Sequence, residues 1–201
     1  LGRGGRPEAP PGARRRDRAA QGSARGAEVL RGDAPPLVLT LALDGASFSR
    51  LDALRRQHFP PERNLVPAHL TLFHALPGER SADISRELAA ICARRRPFAL
   101  SATGWKPLGR GTALSFSSPE LVALRQELAR EWWDDLTDQD RGKIAPHVTV
   151  QNKVSPDAAK ALLHELRAGF VPFDARAEGL LLWRYLGGPW ELARRFPFAG
   201  R

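Results

Sequence analysis

The sequence has a single cysteine, Cys92, so an internal disulfide is excluded. No Cys/His cluster has zinc-site spacing, and no metal is expected. No run approaches the roughly 18 apolar residues that a membrane span needs. The N-terminal residues lack the apolar core of a signal peptide, and a reducing cytoplasm is the expected location. No Gly-x-Ser-x-Gly elbow occurs, so an acyl-transfer site built on a serine nucleophile has no support.

What is abundant is positive charge, and it is unevenly spread. Of the net +9, residues 1–32 hold more than half, with eight arginines against Glu8, Asp17 and Glu28. That Gly/Arg/Pro/Ala segment cannot bury enough apolar surface to offset its ordering entropy. It is expected to be a disordered tail, with an RNA-affinity arm as the sharper alternative. Residues 33–201 are expected to form the folded body, long enough for a real core.

The hydrophobic pattern of that body predicts a strand over 37–43 and a helix over 47–57, with Ser47 as a possible cap. Strand 69–76 follows a loop. A helix carrying Ile84, Leu88 and Ile91 comes next, with Ser81 or Asp83 as its cap. Strands are predicted over 98–105 and 112–117, then a long helix from Pro119 carrying Leu121, Leu124, Leu128 and Trp132. Residues 137–146 read as a polar loop. Strand 147–154, a helix from Ser155-Pro156 and strands 173–186 and 190–198 complete the chain. The order strand, helix, strand, helix, strand thus occurs twice.

Each repeat of that order contains a histidine two residues before a threonine. His69-Leu70-Thr71-Leu72 and His147-Val148-Thr149-Val150 are separated by 78 residues, about half the folded body. In a strand, residues i and i+2 share a face, so each His points the same way as its Thr. With only five histidines and six threonines in the chain, two such pairs at equivalent places are hard to obtain by accident. By the same parity Phe73 joins His69 and Thr71, whereas His74 faces away. Gln151 and Lys153 share parity with His147. Arg110, in the loop between two strands, is a candidate anion contact. Trp183, Tyr185 and Trp190 lie where a late hairpin can present aromatics for base stacking.

These paired motifs resemble those of the 2H phosphoesterase superfamily, and most closely its bacterial 2′-5′ RNA ligase / RNA 2′,3′-cyclic phosphodiesterase branch. Residues 146–153 and 183–190 are also similar to segments of bacterial members. The resemblance implies an α+β, bilobal, pseudo-two-fold arrangement of two antiparallel sheets with outer helices and a central cleft. It implies metal- and cofactor-independent hydrolysis of a 2′,3′-cyclic phosphate, on RNA or a related nucleotide, to a 2′-phosphate, with 2′-5′ ligation as the reverse chemistry.

The residues suit that chemistry. Displacement at phosphorus needs one group to take a proton and another to give one, and imidazole titrates near neutrality. Threonine hydroxyls can hold the non-bridging oxygens. His69, Thr71, His147 and Thr149 are therefore the expected catalytic set; the residues themselves leave open which histidine is base, and the resemblance implies His147 as base and His69 as acid. Phe73, Arg110, Gln151, Lys153 and Tyr185 are the expected substrate contacts. The expected partner is RNA or a nucleotide bearing a cyclic phosphate, with no membrane and with a monomer as default. A non-catalytic RNA-binding protein and a cyclic ADP-ribose phosphate phosphodiesterase are the alternatives.

Overall fold

The computed structural model describes residues 34–200, and the expected tail over 1–32 lies outside the described residues. The strands are β1 (Leu37–Leu43), β2 (Leu70–Leu76), β3 (Phe98–Pro107), β4 (Thr112–Ser117), β5 (His147–Gln151), β6 (Asp174–Tyr185) and β7 (Trp190–Pro197). The helices are α1 (Gly45–His58), α2 (Ser81–Ala93), α3 (Pro119–Glu131), the single turn α4 (Asp138–Arg141) and α5 (Pro156–Ala168).

All strand pairings are antiparallel, but the strands do not make two separate sheets. They run β1-β2-β5-β4-β3-β6, and β6 returns to β1, so six strands form one closed, barrel-like ring with β7 appended to β6. The length of β6 explains the difference from the expected pair of sheets. One edge of its 12 residues pairs with β1, from Ala177 to Arg184. Its other edge pairs with β3 over Asp174–Ala177 and with β7 over Gly179–Tyr185. A strand long enough to serve both halves joins them, and closure satisfies edges that would otherwise stand open. On the opposite side the ring closes through one bridge only, Leu70 to Val148.

The apolar run of β1 is buried on both faces, from Leu37 to Leu41. Helix α1 packs on β5, α5 on β3 and α2 on β7. Local chemistry sets the helix starts. Asp44, rather than Ser47, caps α1 by accepting from the Ser47 N–H at 2.9 Å, and it also accepts from the Arg176 N–H at 2.8 Å. Ser118-Pro119 and Ser155-Pro156 start α3 and α5 with a side-chain cap and a proline in the first turn. Neither Ser81 nor Asp83 caps α2, whose start has no side-chain cap. Gly111 admits the close approach of the β3–β4 loop to β5, since a Cβ there would stand 2.0 Å from the Gln151 carbonyl oxygen.

Strand β2 departs from regular alternation. Its register against β1 shifts twice, between the Leu37–Leu76 and Leu39–Phe73 pairs and again before Thr40–Thr71. Such bulges turn side chains off their expected face. Leu72 and Phe73 are consequently both buried, and His74 is exposed. Phe73 is fully enclosed, with its ring 5.2 Å from that of Trp132 and the Arg125 guanidinium 3.6 Å above it. Phe73→Ala should therefore cost about 3–5 kcal/mol of stability, read from denaturant unfolding. A loss near zero would return Phe73 to the surface.

Candidate active site

The Leu70–Val148 bridge brings the two motifs together. Continuing this antiparallel register by one residue either way sets His69 opposite Thr149 and Thr71 opposite His147. The pattern has a local two-fold relation about the bridge. All four side chains then share the face opposite Leu70 and Val148, which are buried. Across such a pair, diagonal neighbours lie about 7–8 Å apart, a gap that one phosphoryl group can occupy. The four residues line one cleft of about 460 Å³, together with His74, Lys143 and Trp190.

Both imidazoles are held in the same way. His69 Nδ1 lies 2.7 Å from the Pro67 carbonyl oxygen, and His147 Nδ1 lies 2.7 Å from the Ala145 carbonyl oxygen. Each acceptor is two residues before its histidine. A carbonyl can only accept, so Nδ1 carries the proton and Nε2 is left for chemistry. The proline beside each histidine restricts the backbone at the turn that makes this contact: Pro67 supplies the carbonyl itself, and Pro146 stands between Ala145 and His147.

Burial pushes His69 down to about 4, opposed by the Pro67 hydrogen bond and helped by Arg55 and by the neighbouring imidazoles of His74 and His147. Burial also lowers His147, with Lys106 and His74 adding to the effect. Near neutral pH both rings are therefore uncharged, and an anion beside them would offset the burial cost of charging them.

Arg55 ties the two motifs together from behind. Its side chain donates from Nη1 to the Thr149 carbonyl at 2.8 Å, and from Nε to the Val66 carbonyl at 3.1 Å and Asn64 Oδ1 at 2.8 Å. It thus braces the loop entering His69 against the strand carrying Thr149. Trp190 lies against His69 with ring centroids 4.6 Å apart, and Trp183 backs it at 6.1 Å while donating its Nε1–H to Thr40 Oγ1 at 2.9 Å.

The expected substrate contacts are placed elsewhere. Phe73 is in the core, for the reason given above. Arg110 donates from Nε to the Val154 carbonyl at 3.0 Å, bracing two loops. Strand β5 ends at Gln151, so Lys153 sits beyond it in an exposed turn with φ 63°, and parity with His147 no longer applies. Gln151 is buried and does not line the cleft. Tyr185 pairs with Trp190 across the β6–β7 hairpin and is exposed, also outside the cleft. The residues missed by sequence reasoning are His74, which the bulges bring to the cleft, and Asp140, which lies in what reads as a polar loop. Cys92 is buried, which pushes its thiol up to about 12, and it is inert at neutral pH. Among the described residues no three His, Cys, Asp or Glu side chains converge as a ligand set.

Residues 43–189 match the model of the 2′-5′ RNA ligase superfamily. The chain belongs to that superfamily. Solved structures share its fold at low identity. A Thermus thermophilus protein, TT0787, is 18% identical, with TM-score 0.59 over 83% of this chain and 99% of its own. Apo LigT of E. coli is 17% identical, with TM-score 0.56 over 83% of this chain and 98% of its own. LigT in complex with ATP is 20% identical, with TM-score 0.56 over 83% and 99%. No curated protein matches. Membership of this superfamily makes the chain an enzyme of the phosphoesterase or 2′-5′ ligase kind.

Imidazole NMR tests the electrostatics of this superfamily member directly. His69 should titrate near pH 4 in the empty protein and His147 below 6.5. A His69 midpoint at or above 6.5 would contradict the cleft described.

Proposed function

We propose that the protein opens 2′,3′-cyclic phosphate ends of RNA to a 2′-phosphate by general acid–base catalysis between His69 and His147. The observation that carries this reading is the matched pair of Nδ1–carbonyl hydrogen bonds, which leaves two Nε2 atoms for one cleft. The nucleotide complexes of LigT, with NADP+, 3′-AMP and ATP, support a nucleotide-derived substrate.

In the hydrolytic direction one imidazole takes a proton from water as its oxygen bonds to phosphorus. The P–O3′ bond breaks, and the other imidazole gives its proton to O3′. Thr71 and Thr149 hold the non-bridging oxygens where charge accumulates. A 5′-hydroxyl in place of water gives the 2′-5′ linkage by the same proton transfers. His147 serves as base and His69 as acid. For that, His69 must gain its proton as the anionic substrate enters, and the phosphate charge favours this by offsetting the cost of burial and the field of Arg55.

His69→Ala and His147→Ala should each lower turnover on a cyclic-phosphate-ended RNA by about 10²–10⁴, with activity retained in chelator. Full activity in either variant would overturn the proposal. A substrate with sulfur in place of the 3′ bridging oxygen needs no acid, so it should rescue His69→Ala and not His147→Ala. The reverse pattern exchanges the two roles.

The pH dependence follows from the two lowered imidazoles. The active form carries one proton between them, so kcat/KM should form a bell. Its optimum should lie between about 4 and 6.5, the window in which the free pair can carry a single proton, which must reside on His69 once substrate is bound. The bell in kcat, which reports the bound state, should move to higher pH. A kcat/KM optimum above pH 7 would contradict the depressed free-state values.

A further inference from the structure

His74 is a third imidazole in the cleft, and the acid–base reading leaves it without a task. It lines the cavity beside His69, Thr71 and His147. Its ring is about half exposed, while its partner Asp140 is almost completely buried at 1%. Asp140 is a built support. Its carboxylate accepts the His74 Nδ1–H at 3.0 Å, the His74 backbone N–H at 2.9 Å and the Ala75 N–H at 3.0 Å. Thr137 Oγ1 caps the Asp140 N–H, and Arg125 donates to its carbonyl. A carboxylate so fixed occupies Nδ1 and leaves Nε2 for a ligand.

We propose that His74, oriented by Asp140, binds a second phosphate of the substrate, next to the one held between the His-x-Thr pairs. This rests on the acid–base reading of those pairs. His74 stands three residues beyond Thr71, at most about 10 Å along β2 and less where the bulges bend it, and its ring is held towards Asp140 instead of the Leu70–Val148 bridge. With both ring protons in place, His74 donates Nδ1–H to Asp140 and Nε2–H to a phosphate oxygen, two charge-assisted bonds in series. Lys143 also lines the cleft and brings an ammonium group to it. The second phosphate is either the penultimate linkage of an RNA end or one half of a pyrophosphate.

Calorimetric titration tests this without turnover. Two pairs of ligands are compared, AMP with ADP and 3′-AMP with the dinucleotide ApAp. In the wild-type protein the two-phosphate member of at least one pair should bind about tenfold more tightly, and the pair that shows the gain identifies the source. In His74→Gln and in His74→Ala that ratio should collapse towards one. A wild-type ratio near one in both pairs, or a ratio unchanged by both substitutions, would overturn the assignment. Because no bond is broken, loss of the acid–base reading would leave this readout intact, and failure here would leave turnover of a cyclic mononucleotide intact.

Discussion

A single pair of residues, Leu70 and Val148, joins β2 to β5, and the cleft depends on that contact. Both side chains are fully buried, so the register is fixed by packing on one face. A slip of one residue in either strand would turn that strand's histidine and threonine into the core and its aliphatic side chains into the cleft. The bridge thus converts two motifs 78 residues apart into one four-residue array. Arg55 reinforces it by joining the loop before His69 to the Thr149 backbone with three hydrogen bonds. The long β6 holds the far side of the ring closed, so the two halves meet at a fixed distance.

Electrostatics follow from that closure. Burial of the two imidazoles, with Arg55 and Lys106 as positive neighbours, opposes their protonation until negative charge arrives. The cleft is thereby matched to an anion. Elsewhere the protein uses its charges differently. Arg94 and Arg95 pair with Glu127, and Arg80 with Asp135 and Glu87, on the outer surface. Such pairs shape helix ends and contribute little to the site.

Much of this is legible in the sequence because it rests on short-range rules. Strand parity places each His with its Thr, and the repeated element order brings the halves together. The pieces that escape are those where a local rule is broken by tertiary structure. Two bulges in β2 exchange the faces of Phe73 and His74, and no glycine or proline within 70–76 announces them. Packing beneath Arg125 and against Trp132 decides in favour of burying Phe73. Asp140 sits in a one-turn helix too short to show periodicity. Parity reaches Lys153 only if β5 continues past its true end at Gln151. The ring closure depends on which edges of β6 pair with what, which no local pattern encodes.

The central claim is that His69 and His147 address one phosphate through their Nε2 atoms. Nitrogen NMR of both imidazoles during titration with a nucleoside 2′-monophosphate tests it most directly. Both Nε2 signals should move with a single binding constant, and both rings should gain proton affinity in the complex. Movement of one ring alone, or two separate binding constants, would contradict the shared site.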